Sequence, residues 1–337
     1  MRIGVILTAL MGLALAGYLI FYAGTGKVFS AVIAVGWPGF AFLCLYGAAL
    51  FALLGSAWFM LVPSEKKPDL ATYIWGRAVR DCAGEMLPFS QVGGMVIGAR
   101  AVMLRRVSGP LALASTVVDV TVEMIAQIAF VLAGLAILLG RVRLAGATGE
   151  LAKWLAIGLL VAALGAALFV VVQQRSFSPI VRGMARLLPE ATARARAVHR
   201  NFIAIYDSPL RLAAALALHL SGWFATAVWA WIAMRLVGVR LPLLSMLAIE
   251  AILYGIRSAA VFVPAAIGVQ EAAYAFLGPL FGLAAPDALA LSLLKRGRDI
   301  ALGIPVLLAW QLAEGGHALR AARSAPNVIV NKKTIRH

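Results

Sequence analysis

The stretch LLSMLAIEAILYGIRSAAVFVPAAIGVQEAAYAFLGPLFGL, residues 243–283, is among the most apolar in the chain, yet it carries Glu250, Arg257, Pro264, Gly268, Gln270 and Glu271. Hydrocarbon offers no hydrogen bonds to ions or to broken backbone, so such residues persist there only against protein or water. A second segment of the same kind, Thr72–Arg106, lies in the first half and holds Arg80, Asp81, Glu85, Pro88, Gly93, Gly94 and Arg100. Two polar, Pro/Gly-interrupted segments in matching places point to a transport pathway at an internal repeat.

The rest of the composition agrees with a membrane setting. The chain has 337 residues, is 63% hydrophobic and only 13% charged, with mean hydropathy +0.93. Soluble domains average about a quarter charged residues, so an all-α polytopic membrane protein is expected. Thirty Lys and Arg stand against 14 Asp and Glu. In a membrane chain this excess reads as positive-inside loops against anionic lipid. No soluble basic domain carries interleaved aromatics, which excludes nucleic acid as a partner. The two cysteines, Cys44 and Cys82, and four scattered histidines have no metal-ligand spacing. His219 reads as a satisfied helix residue rather than a ligand. No cofactor is expected.

About six segments meet the ~20-residue requirement for crossing ~30 Å of hydrocarbon: Ile3–Ala23, Pro38–Val62, Pro110–Leu139, Leu151–Val172, Leu212–Val237 and Pro286–Leu312. The basic stretches Ser64–Arg80 (with Lys66, Lys67, Arg77 and Arg80), Gln173–Leu210 and Ser324–His337 are expected on the cytoplasmic side, as are both termini. Arg141, Arg143 and Lys153 count mildly against this orientation. The two polar segments then fit best as re-entrant helical hairpins, giving span, span, hairpin, span, followed by the same order inverted. An alternative makes Leu243–Val263 and Gln270–Leu283 full spans, and charge does not decide between the two. The expected organisation is one membrane domain at 1–323, with halves at about 1–140 and 151–313 and a tail at 324–337. A basic amphipathic helix at 174–210 would lie on the inner leaflet.

Within Pro110–Leu139, Asp119, Glu123 and Gln127 sit at i, i+4 and i+8, with Thr116 one turn earlier, so they form one stripe. Two carboxylates on one face at mid-bilayer need partners. Arg80, Arg100, Arg257, Arg296 and Arg298 are the available cations. Two readings stand open: a static ion-pair staple, or a hydrated cavity lined by both signs and suited to a lipid headgroup or to proton coupling through a carboxylate. The run Lys295-Arg296-Gly297-Arg298-Asp299 is either a short loop or a cationic patch facing that cavity, where phosphate would be the natural guest. Pro88 with Gly93-Gly94, and Pro264 with Gly268, are expected at the two hairpin tips.

These elements resemble the flippase-like membrane domain of lysylphosphatidylglycerol synthases and their stand-alone relatives. The matching residues are Glu85-x-x-Pro88 with Gly93-Gly94, Phe262-Val-Pro264-x-x-x-Gly268-Val-Gln-Glu271, and Leu291-Ser-Leu-Leu-Lys295-Arg296-x-Arg298. Ala265 and Ala266 replace glycines frequent in that family. Val269-Gln270-Glu271 and Ala309-Trp310-Gln311-x-x-Glu314 look most like a stand-alone subgroup associated with bacterial hopanoid biosynthesis. The resemblance implies lipid movement or handling in the bacterial inner membrane. Membrane phospholipids or hopanoids would be cargo, and hopanoid-biosynthesis proteins the partners. No Gly-x4-Gly-Lys-Ser/Thr motif supplies an ATPase; the alternatives to a transporter are a non-catalytic scaffold for hopanoid-biosynthesis enzymes and a lipid-modifying enzyme using Glu85, Glu123 or Glu271, for which no nucleophile–base pair or cofactor loop is present in the sequence. The expected headgroup cavity comprises Arg80, Glu85, Pro88, Gly93, Gly94, Arg100, Asp119, Glu123, Glu250, Arg257, Pro264, Gly268, Gln270, Glu271, Lys295, Arg296, Arg298 and Asp299.

Overall fold

A computed structural model describes residues 2–63, 69–87, 90–144, 189–260 and 263–324. Their regular structure is helical: α1 (Arg2–Ala23), α2 (Thr25–Ala34), α3 (Gly36–Leu61), α4 (Leu70–Met86), α5 (Ser90–Met103), α6 (Gly109–Leu144), α7 (Pro189–Tyr206), α8 (Pro209–Val237), α9 (Leu243–Ala259), α10 (Val269–Leu280) and α11 (Ala285–Ser324). A short 3₁₀ turn, Pro264–Ala266, separates α9 from α10. The expected span Leu151–Val172, Pro88, the basic residues 174–188 and the tail beyond Ser324 lie outside the described residues.

Local chemistry sets the boundaries. Pro209 opens α8 at its first turn, where its missing N–H costs nothing, and Gly238 closes it in the left-handed conformation (φ 95°). The Gly238 and Val239 amides then reach back to the carbonyls of Arg235 and Met234. Gly24, at φ 93°, lets α1 turn by 91° into α2. The helices α3 (26 residues), α8 (29 residues) and Gly109–Arg141 of α6 (33 residues) are long and apolar enough to cross a membrane, and the bent α1–α2 pair makes a fourth if taken as one span. The expected span Pro286–Leu312 falls inside α11, a 40-residue helix whose first half carries Lys295, Arg296, Arg298 and Asp299.

The two polar segments form broken helix pairs. At 14 and 12 residues, α5 and α10 rise only ~21 and ~18 Å, short of the ~30 Å hydrocarbon thickness. Full spans at Gln270–Leu283 are therefore ruled out by length. Eight helices divide into α3, α4–α5, α6 and α8, α9–α10, α11, and each principal packing between them has a counterpart in the other half. Thus α3 lies on α8, α6 lies on α9 as α11 lies on α4, and α6 meets α8 as α11 meets α3. This reciprocity is what two halves related by a pseudo-twofold produce.

Two expectations need correction. Arg77 and Arg80, expected in an exposed basic stretch, sit in α4, 3% and 6% exposed, because paired carboxylates let a helix carry them inward. Gly93 and Gly94 do not form a hairpin tip but lie inside α5. A Cβ on Gly94 would meet the Arg80 carbonyl oxygen at 2.6 Å and the Gly84 amide nitrogen at 3.0 Å. Gly94 is thus needed for the close crossing of α4 and α5, as small residues are in membrane helix pairs. The break itself falls at Leu87, extended at φ −94°, ψ 146°, as expected of a residue preceding proline.

Candidate functional site

The hairpins converge with α3, α6, α8 and α11 on a cavity of about 710 Å³. Its wall is divided by chemistry. Arg77, Arg80, Asp81 and Glu85 of α4, Glu123 and Gln127 of α6, Arg257 and Ser258 of α9, and Arg298 and Asp299 of α11 supply polar surface. Leu50, Phe51 and Leu54 of α3, Met124, Ile128, Val131 and Leu132 of α6, and Trp223 of α8 supply apolar surface. Four arginines and four carboxylates thus face a largely hydrocarbon-lined space of the size that ligand pockets commonly have.

A first ionic network joins α4 to α6. Arg77 donates through Nε to Asp81 at 2.6 Å and through Nη2 to Glu123 at 2.5 Å. Arg80 donates through Nη1 to Asp119 at 2.6 Å and also bonds Glu123 and Asp81. His219 of α8 closes the network with Nε2 3.0 Å from Asp119 Oδ1. Asp119 and His219 are both fully buried. The Asp119–Glu123 stripe therefore divides: Asp119 is an interhelical staple, whereas the Glu123 side chain, 19% exposed, faces the cavity. Gln127 continues the stripe by donating to Ser258 at 2.8 Å, and Thr116 bonds back to the Ala112 carbonyl.

A second network joins the second hairpin to α11 with the signs reversed. In the first half Arg77 and Arg80 of the hairpin meet Asp119 and Glu123 of the following helix; here Glu250 and Glu271 of the hairpin meet Lys295 and Arg296 of α11. Lys295 and the Tyr274 hydroxyl both bond Glu250, in a fully buried group away from the cavity wall. Glu271 accepts from the Gly268 amide at 2.8 Å, from Ser292 at 2.8 Å and from Arg296 at 3.2 Å. Arg296 also donates to the Ala265 carbonyl at 2.8 Å. It thereby holds the tip in which Ala265 and Ala266 adopt φ 51° and 48°, a region that costs a non-glycine residue roughly 1–2 kcal/mol. Gly268, at φ 80°, lies with a would-be Cβ 2.5 Å from the Gly12 carbonyl oxygen, so α1 crosses directly over this tip.

An ion pair joins the two hairpins. Arg257 Nη2 donates to both oxygens of Glu85 at 2.7 and 2.6 Å, while its Nη1 donates to Gln270 at 2.9 Å. Gln270 passes on to Ser292 at 2.8 Å. Arg298 pairs with Asp299 at 2.6 Å and lies 4.5 Å from the Trp229 ring centroid.

Of the expected site residues, Arg80, Glu85, Glu123, Arg257, Arg298 and Asp299 line the cavity. Asp119, Gln270, Glu271 and Arg296 stand behind them as partners, and Pro264 and Gly268 shape the second tip. Glu250 and Lys295 do not reach the cavity, because each satisfies the other inside the core. Gly93 and Gly94 serve helix packing, and Pro88 is outside the described residues. Arg100 is elsewhere: it pairs with Glu314 of α11 at 2.8 Å, with side chains 43% and 34% exposed.

Sequence reasoning missed Arg77, Asp81 and His219 as network members. Arg77, Asp81 and Glu85 stand at i, i+4 and i+8, the same signal that found the α6 stripe, so extending the helix back to Leu70 would have found the first two. His219 carries no such signal. The lysylphosphatidylglycerol synthase TM region family matches residues 9–306, and the chain belongs to that family as a multi-pass membrane protein. No curated protein and no solved structure matches the chain.

Proposed function

We propose that this protein holds polar-headgroup lipids in the cavity between its hairpins and carries them between leaflets, as a transporter without its own ATPase rather than as an enzyme. The observation that carries this reading is the divided cavity wall: paired ions on α4, α9 and α11 meet apolar side chains of α3, α6 and α8 in one space. An amphiphile needs both. Its headgroup exchanges water for fixed charges of either sign, and its apolar part stays against Leu50, Phe51, Ile128 and Val131. Ser258 is exposed at the cavity wall, so the space is reachable from outside the bundle.

Family membership supports a role with membrane lipids. Hopanoids or their precursors are the favoured cargo, with hopanoid-biosynthesis proteins as partners and the bacterial inner membrane, both termini cytoplasmic, as the setting. The reciprocal packing of the halves supports alternating access by rocking one hairpin-and-span unit against the other, on a pseudo-twofold axis in the membrane plane. Glu85 and Arg257 would part and re-form in that cycle.

The test is reconstitution. Purified protein in liposomes should make a headgroup-labelled lipid accessible on the opposite leaflet faster than protein-free vesicles do. Ser258→Trp, which places an indole in the cavity from an exposed position, should slow it at equal folded yield. Movement no faster than in empty vesicles, or unaffected by the indole, would overturn the proposal.

A further inference from the structure

Among the described residues, the network around Asp119 is short of one positive charge. Three carboxylates, Asp81, Asp119 and Glu123, share two guanidiniums, Arg77 and Arg80. The other paired ions of the hairpins and α11 are balanced by contrast: Glu85, Glu250, Glu271 and Asp299 face Arg257, Lys295, Arg296 and Arg298. Arg77 and Arg80 are 3% and 6% exposed and Asp119 is fully buried, whereas the Asp81 and Glu123 side chains, 25% and 19% exposed, meet cavity water that offsets only part of the excess. A net charge kept out of water is costly, and such a group reduces the cost by taking up a counter-charge.

The sixth member supplies the place for it. His219 is fully buried, and its Nε2 lies 3.0 Å from Asp119 Oδ1, so the neutral ring donates Nε2–H to the carboxylate. That tautomer leaves the basic lone pair on Nδ1, a buried atom without a hydrogen-bond partner among the described residues. A buried polar atom left unpartnered calls for a physical reason. A proton on Nδ1 makes His219 a cation against Asp119 and gives the network three charges of each sign.

Among the described residues, α8 itself carries Arg211 and Arg235, and α2, which packs on it, carries Lys27. Of the helices packed on α8, α3 carries no charged side chain, and α6 brings Asp119 and Glu123 with Arg77, Arg80 and Asp81 of α4 behind them. α7 presents Arg196 and Arg200 on its exposed side. α9 and α11 bring Tyr254, Arg257, Arg298 and Asp299, where Arg298 lies over Trp229, ten residues along α8 from His219. Glu123 connects the network to the cavity, being bonded to both arginines and part of the wall.

We propose that His219, Asp119 and Glu123 form a binding site for one exchangeable proton at the cavity wall, and that the headgroup moves with the proton. The site stands on the charge count and the unpartnered Nδ1; its coupling to cargo rests on the transport reading above. The site takes its proton from cavity water and holds it on the His219 imidazole, so each cycle carries one proton with the lipid.

The first test needs no transport. Purified protein in detergent is titrated between about pH 8 and pH 5, the range in which histidine changes charge, and its proton uptake is counted. Wild type should take up one proton more than the double variant His219→Gln with Asp119→Asn, which is balanced at two charges of each sign without a proton. His219→Gln alone should be less stable at neutral pH than this double variant, since it keeps the excess carboxylate and loses the base. Equal uptake by wild type and double variant, or no rescue by Asp119→Asn, would overturn the proton site. The second test uses vesicles of phosphatidylethanolamine and phosphatidylglycerol enclosing a pH-sensitive dye. Movement of headgroup-labelled lipid with no matching proton movement would overturn the coupling while leaving lipid transport itself standing.

Discussion

Removing the Glu85 carboxylate isolates the contact that ties the two hairpins together. Arg257 Nη2 makes both of its short bonds to Glu85, and Gln270 is the other hydrogen-bond partner of this guanidinium. A hydrogen bond to a charged group contributes about 1.5–3 kcal/mol, and stripping one partner from a fully buried ion pair costs about 3–5 kcal/mol. The side chains of Arg257 and Glu85 are 11% and 26% exposed, so cavity water rehydrates part of the stranded guanidinium. Glu85→Ala should therefore cost about 2–3 kcal/mol, within the range for a charged hydrogen bond and below that for a fully buried pair. Glu85→Gln should fall between alanine and wild type, because the amide oxygen still accepts but carries no charge. The assay is denaturant titration in detergent micelles followed by tryptophan fluorescence, with the fully buried Trp58 and Trp229 as reporters. A double-mutant cycle with Arg257→Gln should return a coupling above about 1.5 kcal/mol. Additive losses, or a Glu85→Ala protein as stable as wild type, would show that the hairpins are held by apolar packing alone and would remove this contact from the transport cycle.

Three further outcomes are expected. Lys295→Met should cost about 3–5 kcal/mol by stranding Glu250 in the core, and adding Glu250→Leu should recover most of it, as measured by the same titration. Gly94→Ala should cost about 1–3 kcal/mol, because its new methyl group meets the Arg80 and Gly84 backbones, which have no side-chain freedom with which to yield; a neutral result would mean that α4 and α5 part easily. Ala265→Val should destabilise the second hairpin by more than about 1 kcal/mol, since a branched side chain at φ 51° is worse placed than alanine; Ala265→Gly should be neutral or stabilising, and the opposite order would refute the tip geometry.

How far the residues could be read depended on whether a neighbour in sequence carried the signal. The two polar segments were legible because charge and proline within an apolar run are local facts, and the structure breaks the helix at both places. The α6 stripe was legible from its four-residue spacing, and so was the chemical choice it left open between staple and cavity. Position along the stripe resolves that choice: Asp119 is sealed by His219 and Arg80, while Glu123, one turn on, reaches the wall. Gly93-Gly94 misled because a glycine pair a few residues after a proline reads as a turn, whereas close approach of two helices leaves the same letters. Arg100 misled for a related reason, since its partner Glu314 is more than two hundred residues away in the chain.

The amino-acid sequence alone determined that this chain lives in a membrane as packed helices, with two interrupted segments that no hydrocarbon would tolerate exposed. Hydropathy and charge are summed along the chain, and burial of backbone polar groups leaves helices as the natural solution for such a composition. Which cation meets which carboxylate was decided only when α4 met α6, α9 met α11 and the Glu85 and Arg257 ends of the hairpins came together. Those pairings depend on separations between helices, and a linear chain of side chains holds no record of them until the bundle closes.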